Sequence, residues 1–474
     1  MKRTFIVLAT AVSAILPIAA DAATITVCPS GCDETSVKVA VAIATPGDTL
    51  LISAGTYTES SEIDVNKSLT IQGSGVGSTM VQTTGASPVF GVSSTAPLGL
   101  VTFSGMTITG ADNPSADGGG IRISTGGSVE IDNCEISGNT ANRGGGLFVA
   151  DSGSPLLVNL DSVVIEGNGA VFEGGGLYSE AGDTTVTIES SSINQNTSGS
   201  EGGGLFFTGT PSSILEITTS ELDNNTCTDY GAGISVSGGI VAIDTTVLSN
   251  NSGSFVGGAF YASGGTTTIS SSLIAGNTSD LGGGFYVNSA AEVDIDNSTI
   301  TVNTALLGDG GGIHNSGILR LSFCTIAYNT SSTGYAMGIR NNSATATLTA
   351  NAISNPGGSN CGGFYLSNGY NLDDDDSCGL VGTGDIGGQP IGLGPSVDLG
   401  DHRSHFSLLP DSIAIDHADV ASIPPTDQRG VMRPVDGDSD GLAVCDTGAI
   451  EYIALLFADS FETGDTLLWS STIP

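Results

Sequence analysis

Residues 282–304 read GGGFYVNSAAEVDIDNSTITVNT, and residues 310–330 read GGGIHNSGILRLSFCTIAYNT. Both stretches begin with three glycines and an apolar residue, carry alternating apolar residues, and end with Asn-Thr. The triple glycine recurs at 118–120, 144–146, 174–176 and 202–204, with degenerate copies elsewhere in the chain. Successive copies are 25 to 30 residues apart, and such regular self-similarity is typical of a repeat architecture.

A second marker is one asparagine in each copy. The members of this column are Asn139, Asn168, Asn196, Asn225, Asn251, Asn277, Asn303 and Asn329. An isoleucine or leucine stands three and eight residues before each asparagine, and most copies have another apolar residue ten before it. Apolar residues two apart share one face of a strand, and the odd step between the pairs indicates a corner. We interpret the asparagines as an internal amide ladder and the glycines as corners that need positive φ or close backbone approach.

The pattern predicts three short strands per copy, separated by corners. Such a coil buries its apolar side only by stacking on its neighbours. We therefore expect an all-β, single-stranded, right-handed parallel β-helix of about a dozen coils, with a short amphipathic cap helix after Ser36. The expected organisation is a signal peptide over 1–22, an N-terminal cap over 23–60, β-helix repeats over 61–385, a C-terminal module over 386–452 and a tail over 453–474.

Composition restricts the function classes. The 474 residues include 70 Gly and carry a formal net charge of −38, which excludes a nucleic-acid binder with a basic footprint. Lys2, Arg3, the apolar residues 5–20 and the small residues at 20–22 predict a cleavable secretory signal, and hence a secreted or outer-surface bacterial protein. No later apolar run is long enough to predict a membrane-spanning helix. We expect a monomer.

Export permits disulfides among the 8 cysteines. Cys28 and Cys32 are close in sequence, while Cys361 and Cys378 flank an acidic turn, and we expect each pair to form a bridge. Cys134 and Cys324 share one column seven repeats apart, which separates them by roughly 34 Å and leaves them unbridged.

Several stretches resemble known families. Residues 49–57 and 66–71 are similar to the opening of pectin-lyase-like β-helices, and the repeats resemble those of polymorphic outer-membrane proteins, which prefer Phe where this chain has Ile or Leu. The C-terminal motifs, among them residues 427–430 (DQRG) and 446–449 (DTGA), resemble the bacterial choice-of-anchor Q family. This resemblance implies an exported or surface protein and no established activity. Residues 457–469 resemble a short sorting tail of secreted proteobacterial proteins.

An outward-facing column follows the glycines and is mostly aromatic. Its members are Phe148, Tyr178, Phe206, Tyr261 and Tyr286, followed by His314 and Arg340. One hypothesis is an exposed stripe that stacks on the sugar rings of a polysaccharide or cell-surface glycan. The alternative is a ladder of rings that stabilises neighbouring strands without any ligand. His314 beside Arg340 is also a candidate general-base pair.

Acidic residues offer two candidate cation sites. Asp436, Asp438 and Asp440 have the spacing that opens a Ca²⁺ loop, and Asp446 stands near its end, so this stretch predicts either structural Ca²⁺ or an ordinary acidic turn. Residues 373–376 predict a solvated loop, with a cation site as the alternative. A third set of acidic residues shares one column and predicts a solvated edge; its members are Asp132, Asp161, Glu189, Asp244 and Asp296.

These observations predict a non-catalytic exported protein that presents an extended surface for adhesion or polysaccharide contact. We identify no catalytic residues and expect no required cofactor. The alternative is a carbohydrate-active enzyme, a lyase or a hydrolase, of pectin-lyase-like fold. The strong negative charge disfavours anionic uronate polymers unless Ca²⁺ bridges them to the protein.

Overall fold

The computed structural model describes residues 22–180, 182–398 and 404–453. Residues 1–21, within the predicted signal peptide, and residues 454–474, within the predicted tail, lie outside the described residues. The described chain winds as an all-β, right-handed parallel β-helix of about a dozen coils, which confirms the predicted fold class. Most coils have four segments rather than the predicted three, because a two-residue strand lies between the asparagine and the glycines.

We number the faces of the solenoid from the glycine corner. Face 1 consists of Ile63–Val65, Phe90–Val92, Ile121–Ile123, Leu147–Val149, Leu177–Ser179, Leu205–Phe207, Ile234–Asp244, Phe260–Ser270, Phe285–Val287, Ile313–Asn315, Ile339–Asn341 and Cys361–Gly362. Face 2 consists of Thr24–Val27, Thr49–Ile52, Thr70–Gln72, Leu100–Ser104, Gly127–Asp132, Leu156–Asp161, Thr184–Glu189, Ile214–Thr218, Ala291–Asp296, Ile318–Ser322, Thr345–Thr349 and Leu366–Gly369. The two faces form one 24-stranded sheet, because Ile234–Asp244 and Phe260–Ser270 continue from face 1 into face 2.

The other faces are separate sheets. Face 3 is 14-stranded and consists of Gly55–Glu59, Thr79–Thr83, Thr107–Thr109, Glu135–Ser137, Val164–Glu166, Ser192–Asn194, Glu221–Asp223, Val247–Ser249, Leu273–Ala275, Thr299–Thr301, Thr325–Ala327, Ala352–Ser354, Leu372–Asp373 and Ile386–Gly387. Face 4 is 9-stranded and consists of Asp112–Asn113, Thr140–Ala141, Gly169–Ala170, Thr197–Ser198, Thr226–Cys227, Ser252–Gly253, Thr278–Ser279, Thr304–Ala305 and Thr330–Ser331. An antiparallel hairpin, Leu393–Asp398 with Ser404–Leu408, follows the solenoid.

Strands on each face pair in parallel with the equivalent strands one coil away, so the apolar columns lie in register. Ile136, Ile165 and Ile193 are consecutive partners on face 3 and are at most 1% exposed. The result is one apolar core along the length of the solenoid. Stacking of the coils stabilises the fold in two ways. It removes apolar surface from water, and it lets the backbone of each coil form hydrogen bonds with the coils above and below.

The triple glycine forms the corner between faces 4 and 1. Gly174 has a φ of +67°, a conformation that side chains disfavour. A Cβ on Gly175 would lie 2.4 Å from the carbonyl oxygen of Gly203 in the next coil. A Cβ on Gly176 would lie 2.6 Å from that of Gly204. Both predicted reasons for glycine, positive φ and close backbone approach, are therefore confirmed.

The asparagine column forms the predicted ladder between faces 3 and 4. The backbone N–H and the Nδ2 of Asn251 donate to the Oδ1 of Asn277 at 2.9 and 3.0 Å. The Nδ2 also donates to the carbonyl oxygen of Leu222 at 2.9 Å. The column from Asn139 to Asn329 is at most 1% exposed. The ladder thus satisfies backbone groups that a buried corner would otherwise leave unpaired.

The ladder continues beyond the predicted column and ends on carboxylates. Asn329 donates to Asn355 and Asn355 to Asn360, whose Nδ2 donates to Asp373 and Asp374 at 2.7 Å each. A carboxylate only accepts hydrogen bonds, so it suits the last position of a chain of donors. Asp373 is 2% exposed, and burial raises its pKa to about 7. The prediction that the 373–376 run is a solvated loop is therefore wrong at Asp373.

The predicted cap helix covers the open end of the first coils. It spans Val37–Ile43, and the Ser36 hydroxyl accepts a hydrogen bond from its first turn. Thr24–Val27 pairs with Thr49–Ile52, and the latter with Thr70–Gln72. Strands inside the expected cap therefore already belong to face 2. The helices of the described residues include none that is both long and apolar enough to cross a bilayer.

The cysteines pair as predicted. Disulfides join Cys28 to Cys32 and Cys361 to Cys378, with Cα–Cα distances of 5.6 and 4.8 Å. The cysteines at 134 and 324 are buried and free, as are those at 227 and 445.

The C-terminal module does not extend the solenoid but folds back along face 3. The backbone N–H of Ala449 donates to the Thr325 hydroxyl at 3.0 Å. Gln428 donates to the carbonyl oxygen of Ser272 at 3.1 Å. The module therefore crosses several coils and covers the corner between faces 2 and 3.

Candidate functional site

The aromatic column lies on the outer side of face 1, and its rings stack on one another. The centroids of Phe148 and Tyr178 are 5.2 Å apart, and those of Tyr178 and Phe206 are 5.1 Å apart, with interplanar angles of 11° and 12°. Tyr286 and His314 stack at 4.9 Å. This is the geometry of the ladder alternative. Ring faces that contact each other are closed to a sugar ring.

The column is also less exposed than the sequence predicts. Phe148, Tyr178, Tyr261 and His314 are 4%, 6%, 8% and 8% exposed, so the expectation of an exposed stripe is wrong for these four residues. The remaining members, Phe206, Tyr286 and Arg340, are partly exposed.

Charged side chains from the loops before the glycines cover the rings. The Arg143 guanidinium lies 4.8 Å from the centroid of Tyr178 and donates to its hydroxyl at 3.0 Å, while an ion pair with Asp117 at 2.7 Å holds it there. Arg143 from this loop thus contributes to the low exposure of both Phe148 and Tyr178.

His314 and Arg340 lie on adjacent strands of face 1 but do not form a general-base pair. Burial lowers the pKa of His314, and Arg340 lies 3.8 Å from the Asp309 carboxylate instead. Because the imidazole is 8% exposed and stacked on Tyr286, it has little access to a substrate proton.

The predicted calcium loop is assembled only in part. Oxygens of Asp436 and Asp438 lie within 4.8 Å of each other and of Asp416, which the sequence analysis missed. Asp440 instead accepts from the backbone N–H of Leu442 at 2.8 Å. Asp446 is buried and accepts from the backbone N–H of Asp416 at 2.7 Å. The carboxylates that could hold a cation here are therefore those of residues 416, 436 and 438.

The outer side of face 2 carries a groove of about 550 Å³ that follows five consecutive coils. Its outward side chains are Thr102, Glu130, Asn159, Thr187 and Glu216, with Asp132, Asp161 and Glu189 along one edge. Register places equivalent side chains above one another, at roughly 4.8 Å per coil. In the described part of the chain, the ion pairs of Lys and Arg all involve carboxylates outside this groove.

A second cleft, of about 490 Å³, lies farther along the same edge, where the C-terminal module crosses the solenoid. Asp244, Asp296 and Asn297 line the solenoid side, and residues 424–430 line the other. Asn297 donates to the carbonyl oxygen of Thr426 at 3.0 Å, so the module rests directly on the corner.

Asp296 has an unusual environment within this cleft. Its burial is the main cause that raises its pKa to about 6, and the negative charge of Asp244 acts in the same direction. Both residues belong to the acidic column, for which the sequence predicts a solvated edge. The cleft is not predictable from the repeat, because the contact between Asn297 and Thr426 joins residues 129 positions apart, which no periodic pattern indicates.

Comparison with protein families agrees with the β-helix fold. Residues 67–252 match the family model described as a right handed beta helix region. Among solved structures, the chain is similar to pectate lyase Pel9A, with 14% sequence identity and a TM-score of 0.41 over 91% of this chain and 96% of that chain. No curated protein matches the chain. The described chain and the family match together define a right-handed parallel β-helix protein.

Proposed function

We propose that this protein binds a polysaccharide along the outer groove of face 2, outside the cytoplasm. The observation that supports the proposal is the row of carboxylate, amide and hydroxyl side chains from stacked coils, which no described Lys or Arg neutralises. Such groups hydrogen-bond to sugar hydroxyls, and their repeat of roughly 4.8 Å suits an extended polymer better than a small ligand. The two disulfides fit a secreted or outer-surface location.

The negative charge of the groove determines which charge class of polysaccharide can bind. Glu130, Asp132, Asp161, Glu189 and Glu216 line one groove in a protein of net charge −38. This field repels uronates and attracts cationic sugars. We therefore infer a preference for neutral or amino-sugar polymers. Both the adhesion hypothesis and its enzyme alternative need such a binding surface.

The test is binding of the full mature chain to a panel of three polymers: a neutral glucan, polyglucosamine and polygalacturonate. We expect binding to polyglucosamine that weakens with added salt, and no binding to polygalacturonate. A Glu130→Gln/Glu189→Gln variant should bind polyglucosamine at least tenfold more weakly. The matched control is Glu135→Gln/Glu166→Gln, which removes the same charge from face 3 and should bind as the wild type does.

A second comparison separates the groove from the aromatic column. Tyr286→Ala truncates a partly exposed ring of face 1. We expect its affinity for polyglucosamine to equal that of the wild type. A loss confined to Tyr286→Ala, with the glutamate variant unaffected, would place the ligand on face 1 and contradict the proposal.

A further inference from the structure

We propose that the cleft between the solenoid and residues 424–430 hydrolyses a glycosidic bond of the bound polymer with inversion, with Asp296 as general acid and Asp244 as general base. The inference rests on the proposed function, because it needs a polysaccharide in the neighbouring groove. To the proposed binding function, the inference adds a hydrolytic reaction and two catalytic residues.

The register of face 2 sets the spacing between Asp244 and Asp296. Asp244 pairs with Ser270, and Ser270 pairs with Asp296. Two strand spacings place the Cα atoms roughly 9–10 Å apart. Inverting glycoside hydrolases separate their two carboxyl groups by about 6.5–9.5 Å to admit a water molecule, whereas retaining enzymes need about 5–5.5 Å. Ser270 lies between the two residues, and its hydroxyl donates to Asp244 at 2.6 Å.

The two carboxyl groups have different surroundings, as an acid and a base require. Asp244 is exposed, and it accepts hydrogen bonds from the hydroxyls of Ser270 at 2.6 Å and Thr245 at 2.9 Å. Asp296 is half-buried, and desolvation raises its pKa to about 6. General acid–base hydrolysis needs a desolvated acid that holds its proton and a base that water can reach, and the half-buried Asp296 and the exposed Asp244 have these surroundings.

The module supplies a rigid second wall. Asp427 is buried and pairs with Arg429 at 2.5 Å, so the Arg429 side chain, which is 19% exposed, is fixed at the edge of the cleft. Gln428 is anchored by the Thr299 hydroxyl at 2.6 Å. The guanidinium can donate to sugar hydroxyls, while the apolar Pro424 and Pro425 line the rest of the wall. The proposal thus gives residues 427–430 (DQRG) a role in substrate binding, which their resemblance to a known family does not explain.

The reaction balances with water as the only co-reactant. Asp296 donates its proton to the glycosidic oxygen as the bond from that oxygen to the anomeric carbon breaks. Water attacks the anomeric carbon from the opposite face, and Asp244 takes the proton that water loses. The products are two shorter chains, one with a new reducing end of inverted configuration. Exchange with solvent then returns each carboxyl group to its starting protonation state.

The experiment measures reducing ends released from each polymer that binds, with proton NMR to record the first anomer formed. We expect release with inversion, and a rate that falls as pH rises past about 6, because Asp296 must be protonated. Asp296→Asn and Asp244→Asn should each lose at least 100-fold in rate and retain binding. The controls, Glu135→Gln and Glu166→Gln, each remove a carboxylate from face 3, outside both the groove and the cleft, and should keep the rate.

The outcomes separate the two proposals. Binding without released ends, or release that is unchanged in both cleft variants, overturns the hydrolase inference and leaves the proposed binding function intact. Release with retained configuration also overturns it. Absence of binding to every polymer overturns the proposed function and the inference together. Thermal unfolding of each variant shows whether a loss of rate comes from a loss of fold.

Discussion

At the scale of single residues, the asparagine ladder shows how one polar residue can specify a buried corner. Each asparagine amide both accepts and donates hydrogen bonds along the ladder, so a hydrophobic residue cannot replace it. A carboxylate, which only accepts hydrogen bonds, fits only at the last position of the ladder. Asp373 and Asp374 provide that end. The ladder therefore fixes register as well as stability.

Asn251→Ala should cost about 3–5 kcal/mol in the free energy of unfolding, because it leaves the buried backbone N–H of Asn225 without its acceptor and removes one hydrogen bond each from the Nδ2 of Asn225 and the carbonyl oxygen of Leu222. Urea unfolding measures the loss. The control Asn159→Thr changes an asparagine on face 2 to the residue found one coil away at Thr187, and it should change the free energy by less than about 0.5 kcal/mol. Equal losses in both variants would contradict the ladder's role.

Asp296 makes stability depend on pH in a defined direction. Its pKa is about 6 in the folded chain and 3.8 ordinarily, so the native state binds the proton more tightly. The contribution of this tighter proton binding to the free energy of unfolding is fully present below pH 3.8, and it is lost as pH rises through about 6. The asparagine of Asp296→Asn does not titrate in this range. From pH 4 to pH 7.5, the free energy of unfolding of the variant should therefore rise by about 1–2 kcal/mol relative to that of the wild type. Urea unfolding at both pH values measures this difference, and a constant difference would show that the pKa of Asp296 is not raised.

At the scale of elements, the glycine corner sets the spacing between coils. Gly175 and Gly169 lie in the same coil but have opposite requirements. A Cβ on Gly175 would meet two carbonyl oxygens at 2.4 and 2.5 Å, while a Cβ on Gly169 would meet only the Thr140 methyl group at 3.6 Å. The strand that contains Gly169 has Thr140 and Thr197 as its partners, so a side chain fits there.

Gly175→Ala should therefore destabilise the protein by more than about 3 kcal/mol, because backbone atoms rather than a flexible side chain must move. Gly169→Ala should be neutral or stabilising by up to about 1 kcal/mol, since it restricts the unfolded chain at no steric cost. Urea unfolding of the two variants provides the comparison. A similar loss in both would mean that glycine serves flexibility in this segment rather than close approach.

Much of each coil could be predicted from sequence because its physics is local and periodic. The apolar columns, the asparagines and the glycines repeat with every coil, and all three interpretations are confirmed. The strands of face 4, such as Thr140–Ala141, were missed because two residues are too few to show alternation. The aromatic column could also be predicted from the sequence. The side chain that covers part of it could not, because Arg143 contacts the Tyr178 ring from a loop that does not repeat.

At the scale of the whole molecule, the C-terminal module turns a uniform solenoid into one with a distinct site. The solenoid alone presents the same acidic edge along many coils, and the module changes it only where residues 424–430 lie. This placement could not be predicted, because it depends on single contacts such as Asn297 with Thr426 and Arg433 with Phe323. The candidate hydrolytic cleft is thus a product of long-range packing rather than of the repeat.

Arg433 is the side chain that should decide whether the module stays docked. It is fully buried, pairs with the buried Glu451 at 3.0 Å, and lies 4.7 Å from the ring of Phe323 on the solenoid. Arg433→Met would leave the Glu451 carboxylate buried without its partner, at a cost of about 3–5 kcal/mol. The smallest opening that hydrates Glu451 is release of the module. Hydrogen exchange should therefore accelerate across residues 412–453 while strands such as Val164–Glu166 remain protected.

The control Arg320→Met removes an arginine whose side chain is 48% exposed and paired with Glu292 and Asp294, so it should alter neither region. The cleft gives a second readout of release, because Asp296 loses the wall that covers it and its pKa should fall toward 3.8. Local release predicts that the pH dependence assigned to Asp296 disappears in Arg433→Met at unchanged solenoid stability. If the strands of the solenoid instead lose protection together with the module, the two parts fold as one cooperative unit, and the module stabilises the coils it covers as well as shaping the site.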